Sequence, residues 1–399
     1  MADRNEITVP WSGRGSRYTE NEIGTVAAAM RDADPLTQGR HQTEFEQRFA
    51  AYTGSRHAFA VSSCTAALEL ASLLCRLQPG DEVISPAHTF AATVIPFARN
   101  GAALKWADID PDTRLVTAER IRPLIGPRTK VIIVVHLYGL VCDMDAILDL
   151  AREHQITVVE DTAQALGATY KGRHAGAIGD IGCFSLHSHK NITTLGEGGL
   201  LTLQSSKDAD TVPGLRHNGM HAFSGERSRY WVPAMSNVDF DIEGVWPYNF
   251  CIGEVQCALG SKLLERIETI NAERKVRAQQ FITAVADFPE LNFQKTPKGC
   301  GHSWHLLSAR YDGQRYGKTR DDLISFLACG GVRAVVQYYP LYRYPMFQKA
   351  GFGEANCPET DRFFDNMISF PFQQWMPEKQ FTTMISLVRD GLNRMRKGK

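Results

Sequence analysis

The chain has 399 residues, of which 44 are basic and 44 acidic, so its formal net charge is zero. Hydrophobic residues make up 43% and charged residues 22%, an ordinary globular composition that excludes wholesale disorder. Neutrality removes the general attraction of a dedicated nucleic-acid binder, and no nucleic-acid partner is expected. The most apolar run, Val131 to Val135, is too short to span a bilayer, so no membrane contact is expected. The start, MADRNEITVPW, carries two acids and no apolar stretch of a secretory signal. Nine cysteines, an odd number with no CxxC pair, point to neither a disulfide framework nor a zinc ribbon. A soluble, cytoplasmic protein of a reducing compartment is expected, with no bound metal.

In chain order, Glu20–Arg31 and Thr43–Tyr52 read as helices. Seven strands are then expected: His57–Ser63, Glu82–Ala87, Ala103–Asp108, Lys130–Leu137, Thr157–Asp161, Gly182–His187 and Leu200–Leu203. Between most of the first five lie stretches of helical period, at Thr65–Leu77, Thr89–Arg99, Ala118–Ile125 and Asp143–Glu153. This alternation predicts an α/β fold with a mainly parallel sheet covered by helices on both faces. Ligands of such sheets sit at the carboxyl ends of the strands. The polar stretch Ser205–Pro233 reads as a long functional loop. Ile252–Ala286 reads as a long helical region interrupted near Gly260. A smaller α/β unit should follow, with strands near Trp304–Arg310 and Met367–Phe370 and a helix at Arg320–Cys329. The expected boundary lies near residue 255, giving a large unit over 1–255 and a smaller one over 256–399.

Four segments could carry chemistry. In Ser62-Ser63-Cys64-Thr65-Ala66-Ala67, small residues lead from a strand into a helix. That arrangement lets backbone N–H groups approach a phosphate; taken alone, a plain Ser/Thr cap is the simpler reading. Glu160 and Asp161 end an apolar strand, where a carboxylate can hold a ring nitrogen, a metal, a sugar hydroxyl, or merely cap the next segment. In Ser185-Leu186-His187-Ser188-His189-Lys190, closed by Gly196-Glu197-Gly198-Gly199, a lysine follows a buried strand. A metal site at His187 and His189 lacks a matching carboxylate pair nearby. A lysine in an apolar setting has a lowered pKa and can form a Schiff base, unless it is simply a surface residue of the turn. Asn249, in Trp246-Pro247-Tyr248-Asn249-Phe250, could bind an anion or cap the next helix. Phe90 could stack on a ring or pack in the core. Together a phosphate cradle, an acid and an amine are what pyridoxal 5′-phosphate (PLP) requires.

The blocks EDTAQALGATYKG, GDIGCFSLHSHKNITTLGEGG and PYNFCIGEVQCALG resemble the signatures of the DegT/DnrJ/EryC1/StrS family of sugar aminotransferases. LTQGRHQTEFEQRFAAYTG, SSCTAALELA, AHTFAATV and VHLYGLVCDMDAI match in order, so the resemblance covers roughly residues 18 to 390. It implies the aspartate-aminotransferase-type fold (fold type I) with a mainly parallel seven-stranded sheet in the large domain, and a homodimer. It also implies that Lys190 forms the Schiff base with PLP and that Asp161 pairs with the pyridinium nitrogen. Gln164 would lie near the phenolic oxygen and Phe90 would stack on the ring. Thr65, Ala66 and Ser185 would bind the phosphate, joined by Asn249 from the other subunit. Two positions depart from the family: Cys64-Thr65 replaces the usual Gly-Thr, and Phe250-Cys251 replaces a frequent Tyr-Arg. The first leaves the backbone donors intact; the second bears on substrate contacts.

The function so implied is transfer of an amino group from glutamate or glutamine to a keto sugar, nucleotide-linked, in amino-sugar biosynthesis. Some relatives are dehydratases in which a histidine replaces the lysine. Here Lys190 is present and NITTL follows it, as in the transaminating members. A lyase on the same scaffold, or a non-catalytic relative, is the alternative.

Overall fold

The computed structural model describes residues 6–220 and 245–397. Two helices come first, α1 (Glu20–Asp32) and α2 (Arg40–Thr53). α1 begins in a capping box, in which the Thr19 hydroxyl accepts from the Glu22 N–H while the Glu22 carboxylate accepts from the Thr19 N–H. α2 has no side-chain cap of its own. Its open amides at Gly39, His41 and Gln42 instead donate to the Glu254 carboxylate at 2.9, 2.7 and 3.1 Å. An acid there answers both the unpaired N–H groups and the helix dipole.

The alternating series follows as β1 (His57–Val61), α3 (Cys64–Leu74), β2 (Glu82–Pro86), α4 (Ile95–Arg99), β3 (Ala103–Ala107), α5 (Ala118–Ile121), β4 (Thr129–Val135), α6 (Met144–His154) and β5 (Thr157–Asp161). A short hairpin, β6 (Thr169–Tyr170) and β7 (Arg173–His174), precedes β8 (Ile181–Ser185) and β9 (Gly199–Leu203). Seven of these strands form one sheet in the order β1-β9-β8-β5-β4-β2-β3. β9 runs antiparallel to β1 and β8, and the other neighbours are parallel. β2, β8 and β9 are buried along their whole length, as a sheet covered on both faces demands. The α/β architecture expected from the alternation is the one observed.

Three local expectations change. The stretch after residue 205 is not one long loop, because α7 (Ser206–Ala209) and α8 (Val212–Arg216) occupy its first part. Residues 221–233 of that expected loop lie outside the described ones. The helix expected over Thr89–Arg99 is a 3-10 turn at Ala91–Thr93 followed by the short α4. Pro96, lacking an N–H, cannot carry an α-helical ladder through that junction. The long helical region is α9 (Glu254–Leu264) and α10 (Ile267–Ala284), so the break falls beyond Gly260. Gly260 serves packing rather than interruption: a Cβ there would stand 2.7 Å from Phe45 Cζ and 3.0 Å from Thr194 Cγ2.

The remaining elements are β10 (Leu291–Phe293), β11 (Cys300–Gly301), β12 (Leu307–Tyr311), α11 (Arg320–Cys329), α12 (Pro345–Lys349), α13 (Pro358–Asn366), β13 (Met367–Phe370) and α14 (Glu378–Arg396). β10, β12 and β13 make a small antiparallel sheet. It shares a second apolar core with α11 and α14, built around Phe281, Leu323, Phe370 and Val388. Val9 belongs to this core as well, with its N–H on the Gly331 carbonyl at 3.0 Å. From there the N-terminal segment runs to Gly15, whose N–H donates to the Ser188 carbonyl at 2.8 Å. That segment therefore links the small core to the loop that carries Lys190.

Gly260→Ala tests the packing account. Alanine improves helix propensity, yet here it must push Phe45 or Thr194 aside. We expect a net loss of about 1–3 kcal/mol in urea unfolding. A gain in stability would mean that α2 and α9 are not in close approach at this point.

Candidate active site

The carboxyl ends of β1, β2, β5 and β8 open onto a cleft of about 410 Å³, within the range of small-molecule sites. Its wall includes Ser63, Cys64 and Thr65 after β1, Phe90 after β2, Asp161 at the end of β5, Ser185 at the end of β8, and Lys190. Each of these lies where a parallel sheet turns its loops toward a ligand.

At the start of α3, Ser63 Oγ accepts from the Ala66 N–H at 3.1 Å. The Ala67 N–H bonds the Ser63 carbonyl at 3.1 Å. The first amides of a helix have no intrahelical acceptor, so those of Cys64 and Thr65 remain for a ligand at the cleft wall. The last strand passes under this turn so closely that a Cβ on Gly199 would meet the Ser63 carbonyl carbon at 2.5 Å and the Cys64 nitrogen at 2.6 Å. Only glycine fits there.

The two acids at the end of β5 are separated by the strand's period of two. Glu160 points away from the cleft and is fully buried. It accepts from His136 Nε2 at 2.8 Å and from the amides of Gly176, Ile178 and Gly179 at 2.8, 2.8 and 2.5 Å. The Cys142 N–H occupies His136 Nδ1 at 3.2 Å, so Nε2 carries the proton given to Glu160. Burial pushes the Glu160 pKa up, but the bonds from His136, Gly179 and Gly176 outweigh it and hold the group below the usual range. Asp161 faces the cleft, its Oδ2 accepting from Thr93 Oγ1 at 2.7 Å and its Oδ1 from the Ala163 N–H at 3.0 Å.

Lys190 sits on a loop laced to itself. The Leu186 N–H bonds the Gly198 carbonyl at 2.8 Å, Ser188 bonds Gly196 at 2.9 Å, and Thr194 Oγ1 bonds the Glu197 carbonyl at 2.7 Å. Gly15 packs on its backbone, where a Cβ would fall 1.9 Å from the Lys190 carbonyl oxygen. Burial lowers the Lys190 pKa, and the charges of Asp161 and Glu197 oppose that only in part. An amine more readily deprotonated than a surface lysine results.

Gln164 is oriented at both ends. Its Oε1 accepts from the Tyr138 N–H at 2.9 Å and its Nε2 donates to the Tyr338 hydroxyl at 2.9 Å. Phe90 is 58% exposed, with its centroid 6.0 Å from that of Tyr338. Among the residues expected from the sequence, Thr65, Phe90, Asp161, Gln164, Ser185 and Lys190 meet in this cleft. Ala66 stands behind the wall with its N–H spent on Ser63. Asn249 is exposed, its Oδ1 accepting from the Cys251 N–H at 3.2 Å. It is not the cap of α9, which is Gly253. Several wall residues had no signal in the sequence: Trp11 and Arg14 from the N-terminal segment, and Arg274, His305, Tyr338 and Phe372 from the C-terminal part. They are scattered single residues brought together only by the fold.

A sheet of this topology, with an amine, an acid and a helix N-terminus in one cleft, defines an aspartate-aminotransferase-type (fold type I) PLP enzyme. The chain belongs to the DegT/DnrJ/EryC1/StrS aminotransferase family, which it matches over residues 17–389. It is 35% identical over 374 residues to the spore coat polysaccharide biosynthesis protein SpsC of Bacillus subtilis, covering 93% of this chain and 94% of that one. Among solved structures it is similar to Spr1654 of Streptococcus pneumoniae in its PLP form, with TM-score 0.84, 27% identity, and 97% and 99% of the two chains covered. It is also similar to S. venezuelae DesV, determined in complex with a ketimine intermediate, with TM-score 0.82, 28% identity, and 94% and 95% covered. The enzyme is thus a PLP-dependent transaminase of the sugar aminotransferase kind. No helix among the described residues is long and apolar enough to cross a membrane.

The opposite roles of the paired acids can be checked by stability. Glu160→Gln should cost about 2–4 kcal/mol in urea unfolding, since three amides and His136 lose a charged acceptor. Asp161→Asn, at the open cleft, should stay within about 1 kcal/mol of wild type. The Glu160 contribution is present above its unfolded pKa of about 4.3 and is lost as pH falls through the lower folded value. Equal losses for the two variants would show that both acids are structural.

Proposed function

We propose that the enzyme moves an amino group from glutamate or glutamine to a keto sugar, nucleotide-linked, in amino-sugar biosynthesis. The observation that carries this reading is the meeting of Lys190 and Asp161 in one cleft with the N-terminus of α3. This donor set suits PLP: Thr65, Ser185 and the amides of Cys64 and Thr65 offer hydrogen bonds to its phosphate. The Asp161 carboxylate, held by Thr93 and Ala163, suits the ring nitrogen, and Lys190 suits covalent attachment. Phe90 offers a face to the ring, and Gln164 keeps a second Nε2 hydrogen for the phenolic oxygen.

When bound, PLP supplies the electron sink that amino transfer requires. Lys190 Nζ takes the α-proton from the donor in the first half-reaction and gives a proton to the sugar carbon in the second. Burial makes that amine easier to deprotonate than a surface lysine. Arg14, exposed at the cleft wall, offers positive charge for an acidic donor or a sugar-linked diphosphate. The polysaccharide role in the name of SpsC supports a sugar acceptor.

We further propose a homodimer in which Asn249 completes the partner's phosphate site. Its exposure outside its own cleft supports this, as do the exposed Leu36, Leu195 and Trp246. We divide the chain into a large unit over 1–255 and a small unit over 256–399, supported by the second apolar core around Phe281, Leu323, Phe370 and Val388. The nine cysteines, odd in number and with no CxxC pair, support a cytoplasmic setting.

A panel of keto sugars, free and nucleotide-linked, offered to the pyridoxamine-phosphate-loaded enzyme tests the acceptor. Amination of a nucleotide-linked ketone, identified by mass and NMR, is expected. Exclusive turnover of keto acids would overturn the sugar reading. For the shared site, inactive Lys190→Ala is mixed with weakened Asn249→Ala under subunit exchange. In a mixed dimer one site collects both changes and the other neither, so roughly a quarter of all sites should be wild type. Activity no higher than that of the separate parents, with exchange confirmed, would rule the shared site out.

A further inference from the structure

His305 is buried, lines the main cleft, and has no part in the chemistry above. It also lines a second cavity of about 10 Å³ behind Lys190, together with Gln164, Ser185 and Asn191. That is room for about one water among several polar groups.

The tautomer of His305 follows from a chain of amides. Asn271 Nδ2 donates to the Leu166 carbonyl at 3.1 Å, which leaves Asn271 Oδ1 to accept from Asn191 Nδ2 at 2.8 Å. Asn191 Nδ2 also donates to the Ser303 carbonyl at 3.0 Å, so both of its hydrogens are spent. Asn191 Oδ1 is thus the end that meets His305 Nδ1, at 3.3 Å, and the imidazole must be the donor. With the proton on Nδ1, Nε2 presents a lone pair. A second proton on the ring is opposed from every side. Burial acts first, then the cations of Lys190 and Arg274 and the ring of His189. Arg274 gives its N–H groups to the carbonyls of Trp304 and His305 at 2.7 and 2.6 Å and to Gln374 Oε1 at 3.0 Å.

We propose that His305 is a positioning residue for Lys190, its Nε2 accepting a hydrogen bond from the Lys190 amine through a single water in the cavity they share. An amine whose N–H is drawn backward in this way points its lone pair forward, into the cleft where the proton is taken. His305 gains no proton at any stage. The inference rests on Lys190 being the reacting amine.

The test pairs two amides of different reach. His305→Asn reproduces the Nδ1 group and withdraws Nε2, whereas His305→Gln places an amide where Nε2 was. In His305→Asn the rate of the donor half-reaction should fall about 10- to 100-fold with an unchanged donor KM, and His305→Gln should recover most of it. The apoenzyme supplies a readout independent of turnover. The pKa of Lys190, from pH-dependent acylation followed by peptide mass spectrometry, should fall by about half a unit in His305→Asn and hold in His305→Gln. Loss of an acceptor disfavours the ammonium form, which sets that sign. An unmoved Lys190 pKa, or equal loss of rate in both variants, would reduce His305 to packing and overturn the proposal. Should a variant not fold, nitrogen-15 shifts of His305 in the wild type decide, and a protonated Nε2 overturns it. Borohydride reduction of the PLP-loaded wild type separates the two levels: a label on a lysine other than Lys190 sinks the reading of the active site and this inference with it.

Discussion

A carboxylate taken wholly out of water must be surrounded by donors, and Glu160 meets that demand with a histidine and three backbone amides. Those bonds fasten the end of β5 to the residue after β4 and to the loop that enters β8. The carboxyl ends of β4 and β5 are thereby tied to the start of β8 at the centre of the sheet. The next residue along, Asp161, has no choice of direction: alternation along the strand turns it into the cleft. The buried acid and the cleft-facing acid are neighbours because one holds the strand in place for the other.

A second constraint sits opposite. Arg274 is buried, and its guanidinium meets carbonyls and an amide rather than a carboxylate. Burial pushes its pKa down to about 9, so it keeps its charge near neutrality. Its bonds fix the chain before β12 and the segment at Phe372 and Gln374, which brings residues of the C-terminal part against Lys190. The cleft is consequently closed on one side by the large sheet, on another by this strut, and along its edge by the N-terminal segment through Gly15. Lys190 is desolvated by that enclosure, and its lowered pKa is a product of three separate parts of the chain.

The alternation of apolar strands and helices determined the sheet and its central elements, because both periods are local properties of the chain. It also placed Thr65, Phe90, Asp161, Ser185 and Lys190 after strands, where a parallel sheet concentrates its ligand contacts. The ordered blocks around Asp161, Lys190 and Asn249 determined the family. Which of Glu160 and Asp161 faces the cleft was legible only through the family resemblance, which put Asp161 at the ring nitrogen; the strand's own residues left it open, since it depends on the register of β5 between β4 and β8. Gly260 reads as a breaker in the sequence and is a contact glycine in the fold, because only the approach of Phe45 shows what a Cβ would strike. The contributions of Trp11, Arg14, Arg274, His305 and Tyr338 were decided by tertiary structure alone. They are single residues far apart in the chain, with no period to mark them, and long-range packing is what gives them a common cavity.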